Sequence, residues 1–345
     1  MRAAIIHAPH DLRVEETPEQ PFGPNDVKIR VAAGGICGSD LHYYHHGGFG
    51  TVRIRQPMIL GHEIAGTVIA AGAGVTTVAP GDTVAVNPSL PCGVCRYCLD
   101  GQSNQCLDMR FYGSAMRMPH VQGGFREELV CDRSQAIKLP AGTDLTEAAF
   151  AEPLSVCLHA ARQAGSLLGK RVLVTGTGPI GALLIMVARH AGAREIVTTD
   201  LLDPPLAVAA RIGADRTINT RSDPAALDAY AAGKGTFDVV FEAAGAAPAL
   251  AAAIAVARPG ATIVQVGNNA DAAPTVPLNL LVAKEIALRG TFRFHEEFAW
   301  AVDFIAARRI DVRPLLTGVV PLAEAVRAFD LATDRSRSMK VLLAF

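Results

Sequence analysis

Four cysteines, Cys92, Cys95, Cys98 and Cys106, follow one another with two, two and seven residues between them. Four thiolates at such short spacing in a loop are the donor set of tetrahedral zinc, and with no position left open the ion is structural. Iron–sulfur clusters also take four thiolates, but their common spacings differ. A redox Cys-x-x-Cys pair leaves two of the four unexplained. A second, dispersed set comprises Cys37, His62 with Glu63, and Glu152. A thiolate, an imidazole and one carboxylate around an open fourth position make a catalytic zinc site. Singly, each residue has a plainer reading: a core thiol, a satisfied core histidine, a helix start at Glu152-Pro153. The glycines favour the site. Gly34-Gly35 and Gly38 flank Cys37, and Gly61 precedes His62, so the backbone turns sharply beside each donor.

Gly176-Thr177-Gly178-Pro179-Ile180-Gly181 carries a different chemistry. The motif follows an apolar strand and opens a helix, which is the context a dinucleotide site needs. Gly176 permits the turn, Gly178 lets backbone approach a pyrophosphate, and Gly181 allows close helix–strand packing. The helix that opens at Pro179 and Ile180 then turns its N-terminus, with the unpaired N–H groups from Ile180 onward and its positive dipole end, toward that anion. Asp200 ends the next strand, where a carboxylate accepts from a ribose 2′-hydroxyl and repels a 2′-phosphate. Pro204 and Pro205 follow without an immediate Lys or Arg, so NAD is expected rather than NADP.

The elements that must hold these groups differ between the two halves of the chain. Residues 1–150 hold short apolar runs (27–31, 65–70, 83–86) broken by Gly and Pro, which predicts a β-rich domain with functional loops and a cysteine lobe at 90–110. Residues 147–165 read as helix with a break at Pro153. Residues 151–290 alternate strand and helix. Strands are expected at 172–175, 196–199, 216–218, 238–241, 262–266 and 286–288, with helices at 180–191, 206–212, 224–232 and 248–257. Six short apolar strands separated by helices predict an α/β fold, a doubly wound parallel Rossmann sheet. Residues 291–345 hold two helical patterns, 297–308 and 322–333, then a strand at 340–344, and are expected to return to the first domain.

Composition limits the classes that remain. Half of the 345 residues are hydrophobic and 19% are charged, enough to build a large core. Lys and Arg number 32 against 33 acidic residues, a net charge of −1 without the basic field that nucleic-acid binding requires. The cysteine lobe itself has Arg96 against Asp100, which argues against a nucleic-acid-binding zinc ribbon. No apolar run has the length of a membrane span or of a signal-peptide core, so a cytoplasmic protein without membrane partners is expected. Seven cysteines, an odd number, exclude complete disulfide pairing. Four are spoken for by one site and Cys37 by another, leaving Cys131 and Cys157 as buried thiols.

Together these motifs resemble the zinc-dependent medium-chain dehydrogenases. Gly61-His62-Glu63-x2-Gly66-x5-Gly72 is similar to the family's zinc signature, and residues 34–42, Gly-Gly-Ile-Cys-Gly-Ser-Asp-Leu-His, to its first-ligand loop. The cysteine lobe and the glycine motif fall in the family's order, and the resemblance spans essentially the whole chain. It implies a GroES-like catalytic domain beside the Rossmann domain, two zinc ions per chain and NAD. Glu152 within Ala151-Glu152-Pro153, and Thr291-Phe292-Arg293, resemble the sorbitol (polyol) dehydrogenase branch, although Phe294 stands where that branch carries Tyr. The resemblance implies zinc on Cys37, His62 and a glutamate, with Glu63 and Glu152 both candidates, and a proton path through Ser39 and His42. Residues 42–44 and 108–117 resemble the members of that branch that act on a sugar acid, which implies L-idonate as substrate, with sorbitol or xylitol as the alternative. Tyr43 and Arg293 are then candidate substrate contacts, and Arg110 and Arg117 further partners for a carboxylate. A homotetramer or homodimer is expected, with Leu280-Leu281-Val282 near a sheet edge as a candidate contact.

Overall fold

The computed structural model describes residues 1–269 and 274–345. The chain packs as two units, Met1–Pro153 with His295–Asp334 and Lys340–Phe345, and Leu154–Phe294 with Arg335–Met339. Of residues 291–345, 291–294 and 335–339 pack with the second unit and the rest with the first.

The first unit is built on a seven-stranded sheet. Along it lie Ala136–Lys138, Thr83–Val86, Glu63–Ala71, Asp26–Gly35, Lys340–Ala344 and Leu316–Pro321, while Glu128–Asp132 also pairs with Asp26–Gly35. Alternation along Asp26–Gly35 sends Val27, Ile29 and Val31 into the core, where they meet Ile64, Val84, Phe125 and Leu129. The register matters more than the packing. Gly35 pairs with Glu63 on one side and with Leu342 on the other. The end of Asp26–Gly35 and the starts of Glu63–Ala71 and Lys340–Ala344 therefore lie side by side, and residues 36–37, 62–63 and 340 share one end of the sheet.

The second unit contains six parallel strands in the order Arg216–Asn219, Glu195–Asp200, Arg171–Thr175, Phe237–Glu242, Ala257–Gln265, Ala287–Gly290. Sequence order reverses between Arg171–Thr175 and Phe237–Glu242, the switch point outside which doubly wound sheets bind ligands. Helices Pro179–His190, Asp203–Arg211 and Ala247–Val256 connect the strands.

Two local expectations fail, and a third element is found with its start moved by one residue. Pro153 does not break its helix, since Ala151–Ala164 is continuous and Pro153 sits in the first turn, where its missing N–H has no intrahelical acceptor. The helix expected at 224–232 shrinks to Asp228–Ala231 followed by a 3-10 turn, with Gly233 in the left-handed region. The last strand begins at Ala287 rather than at 286, and the irregular link before it contains the helix Leu278–Ala283.

Candidate functional site

Cys37 leaves the end of Asp26–Gly35 and caps the helix Gly38–His46. Its backbone N–H donates to Asp40 Oδ2 at 3.0 Å, and Gly61 N–H donates to Asp40 Oδ1 at 3.2 Å. One fully buried carboxylate thus ties the Cys37 loop to the turn that presents His62. Ligand-capable atoms of Cys37, His62 and Glu63 lie within 4.8 Å of one another. His62 Nδ1 is buried without a hydrogen-bond partner among the described residues, 3.9 Å from Asp40 Oδ1. A buried imidazole nitrogen left unpaired is costly unless it serves as a donor to something else, so the set fits a zinc ion.

Glu63 is held from two directions. Lys340, 3% exposed at its side chain, donates from Nζ to Glu63 Oε1 at 2.6 Å and to Ile36 O at 3.0 Å, and also lies against Oε2. On the other side is Gly35, where a Cβ would lie 1.9 Å from Glu63 Oε2. The carboxylate occupies the volume a larger residue would fill. Glu152 is buried as well, and its carboxyl interacts electrostatically with His62, Glu63, Cys37 and Lys340, but it is outside the tight three-donor group.

Burial dominates the protonation of this pocket. It pushes the Cys37 thiol up to about 11, with the Glu63 charge adding to the effect and Lys340 opposing it. Burial likewise raises Glu152 to about 8, with His62 pulling the other way. Lys340 is raised above the ordinary lysine value: burial works against its ammonium, but Glu63 and then Cys37 outweigh it. Four acidic groups, Cys37, Asp40, Glu63 and Glu152, against one lysine and one imidazole make a pocket that a divalent cation completes.

The four-cysteine lobe assembles as the spacing predicts. Cys92, Cys95, Cys98 and Cys106 offer sulfurs within 4.8 Å of one another. Cys95 caps the short helix Arg96–Leu99, and Cys106 Sγ accepts from the backbone N–H of Cys92 at 3.2 Å and of Asp108 at 3.3 Å. Hydrogen bonds from the Leu107 and Cys98 backbone hold the Cys95 thiol down to about 6. Burial and the Cys95 sulfur beside it push the Cys98 thiol the other way, up to about 12, so the lobe shares protons unevenly and a metal would have to displace the one on Cys98. Cys131 and Cys157 are buried elsewhere.

In the second unit, Gly178 caps Pro179–His190 and Pro179 occupies its first position. Ile180 follows in the same turn. Gly176 has φ +81°, and a Cβ at Gly181 would lie 1.9 Å from Gly176 O, so neither tolerates a larger residue. Asp200 is anchored from every side. Oδ1 accepts from Leu201 and Leu202 N–H at 2.7 and 3.1 Å, and Oδ2 accepts from Thr177 N–H at 2.8 Å and from Arg335 Nη2 at 2.6 Å. Glu242, fully buried beside the switch point, accepts from Ala244 and Gly245 N–H and shapes the turn facing Gly176.

The remaining expected residues fall in different surroundings. Ser39 and His42 lie one helical turn apart on Gly38–His46, with His42 exposed. Tyr43, expected to face substrate, is 1% exposed in the core, and its hydroxyl oxygen accepts from Ala115 N–H at 3.0 Å. It braces the loop at Ala115 from the core, because helical periodicity turns position 43 inward while 42 points out. Arg293 belongs to the second unit, in the left-handed region at φ +53°, its guanidinium 4.8 Å from the Phe292 ring centroid. Arg117 is engaged with Asp108 at 2.5 Å. Sequence reasoning passed over Lys340, Asp40 and Arg335. The Cys37–Asp40 spacing is that of a capping box, and a lysine opening the apolar run 340–345 needs a buried partner, so two of the three left a readable trace.

Comparison with known proteins agrees with this geometry. The family described as alcohol dehydrogenase GroES-like domain matches residues 23–141, and that described as zinc-binding dehydrogenase matches residues 179–307. The chain is 44% identical over 321 residues to an L-idonate 5-dehydrogenase (NAD(P)(+)) of Escherichia coli K12, covering 93% of this chain and 92% of that one. It is 37% identical to a sorbitol dehydrogenase of Gallus gallus, covering 99% and 95%. A crystal structure of L-idonate 5-dehydrogenase from Escherichia coli K-12 superposes with TM-score 0.95 at 41% identity, over 100% of this chain and 98% of that one. With a three-donor centre, a four-thiol lobe and a dinucleotide turn all in place, the chain belongs to the zinc-binding alcohol dehydrogenase family and takes zinc and NAD(P) as its cofactors.

Proposed function

We propose that this enzyme oxidises a secondary alcohol of a sugar acid, L-idonate, with NAD as the preferred acceptor. The observation that carries the reading is the 44% identity over 93% of the chain to an enzyme named for that substrate, joined to a complete Cys37–His62–Glu63 donor set. Zinc held by these three donors would supply the positive charge that lowers a hydroxyl's pKa, and NAD in the second unit would supply the hydride acceptor. The chain's own groups do the rest. Cys37, His62 and Glu63 hold the metal, and Asp40 fixes the two loops that present them. The buried Glu152 carboxyl stands by as a hydrogen-bonding partner or exchangeable ligand. Ser39 and His42, on one face of their helix, carry the released proton to solvent. Burial and the neighbouring His46 keep the His42 imidazole below the ordinary histidine pKa, so at neutral pH it is ready to accept that proton. The Asp200 carboxylate, at the end of its strand, favours an unphosphorylated ribose.

Arg293 is the proposed partner of the substrate carboxylate, since a guanidinium pairs with it in bidentate fashion and Arg117 is already committed to Asp108. Tyr43 acts instead as a brace for the loop at Ala115, accepting from its N–H. A four-thiol zinc lobe requires reduced cysteines, which supports a cytoplasmic location. The sheet edge Ala287–Gly290, with Leu288 and Val282 exposed, supports a homo-oligomer, to be tested by light scattering. No helix among the described residues is long and apolar enough to cross a membrane.

The substrate reading is tested by NADH formation with L-idonate, sorbitol, xylitol, L-threonine and simple alcohols at matched concentrations. We expect the highest kcat/KM with L-idonate, and preference for sorbitol or xylitol would move the enzyme to the polyol class of its Gallus gallus relative.

A further inference from the structure

Asp200 is expected to face the adenosine ribose of the cofactor, and the residues next to it in sequence hold no basic partner. The fold supplies one from far away. Arg335 lies in the segment Arg335–Met339, which packs with the second unit although the chain on both sides of it belongs to the first. Its Nη2 donates to Asp200 Oδ2 at 2.6 Å and lies 3.8 Å from where a Cβ on Gly178 would be. The guanidinium thus spans the space between the phosphate-binding turn and the ribose carboxylate, with 48% of its side chain exposed while Asp200 is 3% exposed.

Two consequences follow from charge alone. A lone buried carboxylate at this position rejects a 2′-phosphate by repulsion, which is how such a residue selects NAD. Paired with a guanidinium, the carboxylate is neutralised, and the half-exposed arginine still has N–H donors to offer an incoming phosphate. We propose that Arg335 sets the breadth of cofactor use, offsetting Asp200 so that the unit binds NADP as well as NAD, with Arg335 contacting the 2′-phosphate. The proposal rests on the reading of this unit as an NAD(P) site.

The test is direct binding to the zinc-loaded enzyme, by quenching of its single Trp300 or by calorimetry, of NADH and NADPH to wild type, Arg335→Met and Arg335→Lys. Loss of a charge-assisted arginine–phosphate contact should weaken NADPH by about tenfold or more in Arg335→Met. NADH should change by less than about threefold in the same variant, because its 2′-hydroxyl needs only Asp200. Arg335→Lys should recover part of the NADPH affinity, since a point charge replaces a fork. Equal weakening of both cofactors would place Arg335 at the shared pyrophosphate or in a purely structural role and overturn the proposal. So would unchanged NADPH binding in Arg335→Met, or a wild type that binds NADH but not NADPH. Wild type that binds neither would overturn the dinucleotide reading itself, a result distinct from the other three. Matching thermal midpoints for the three proteins show that the comparison is made on folded enzyme.

Discussion

Lys340 is the residue on which the pocket's charge balance turns. It is buried, it reaches both oxygens of Glu63, and it anchors to Ile36 O beside Cys37. Removing one partner of a buried ion pair leaves the other charge uncompensated, which costs about 3–5 kcal/mol. We therefore expect Lys340→Met to lower unfolding stability by about that amount in denaturant titrations. Lys340→Met combined with Glu63→Gln should recover part of the loss, because the orphaned charge is gone. A single variant within about 0.5 kcal/mol of wild type would mean that the pair is not the buried contact described. Protonation at the same residues gives the pocket a pH signature. Cys37 at about 11 and Glu152 at about 8 carry protons near neutrality in the metal-free protein. Metal binding to Cys37 expels its proton, so affinity strengthens as pH rises. Zinc affinity of the three-donor centre should increase by about tenfold per pH unit between pH 6 and 8 for each proton released, measured by competition with a chelator. A flat profile would mean the donors are already ionised.

At the scale of elements, sheet register does the positioning. Gly35, Glu63 and Leu342 are paired neighbours, so donors far apart in sequence meet at one strand end. Gly35 is where this can be probed without touching a ligand. A methyl there would lie 1.9 Å from Glu63 Oε2 and must displace the carboxylate. Gly35→Ala should cost one zinc per chain while the four-cysteine lobe keeps its own, as read by elemental analysis; retention of both ions would show that Glu63 has room to spare. Much of this was legible beforehand. The six strands, their helices and the glycine turn follow from periodicity and punctuation, and the cysteine lobe follows from spacing, since all four ligands are local. The register is not local. Nothing near Glu63 announces Lys340, and nothing near Asp200 announces Arg335, because those contacts depend on where the last segment of the chain returns. Pro153 misled for the opposite reason, since a proline reads as a breaker until it is known to sit in a first turn.

For the whole molecule, the division of labour is chemical. The first unit carries the metal donors and the residues proposed for the proton path, and the second carries the dinucleotide turn. The two cysteine-bearing sites of the first unit are separate in sequence and in donor chemistry. The most direct measurement is zinc content and NADH formation, taken on the same preparations of wild type and Cys37→Ala. The wild type should contain two zinc ions per chain, as the two donor groups imply. Cys37→Ala should keep one, in the four-cysteine lobe, and lose turnover while remaining folded and able to bind NADH. Turnover that survives in Cys37→Ala with a single zinc per chain would contradict the assignment of a catalytic metal to Cys37, His62 and Glu63.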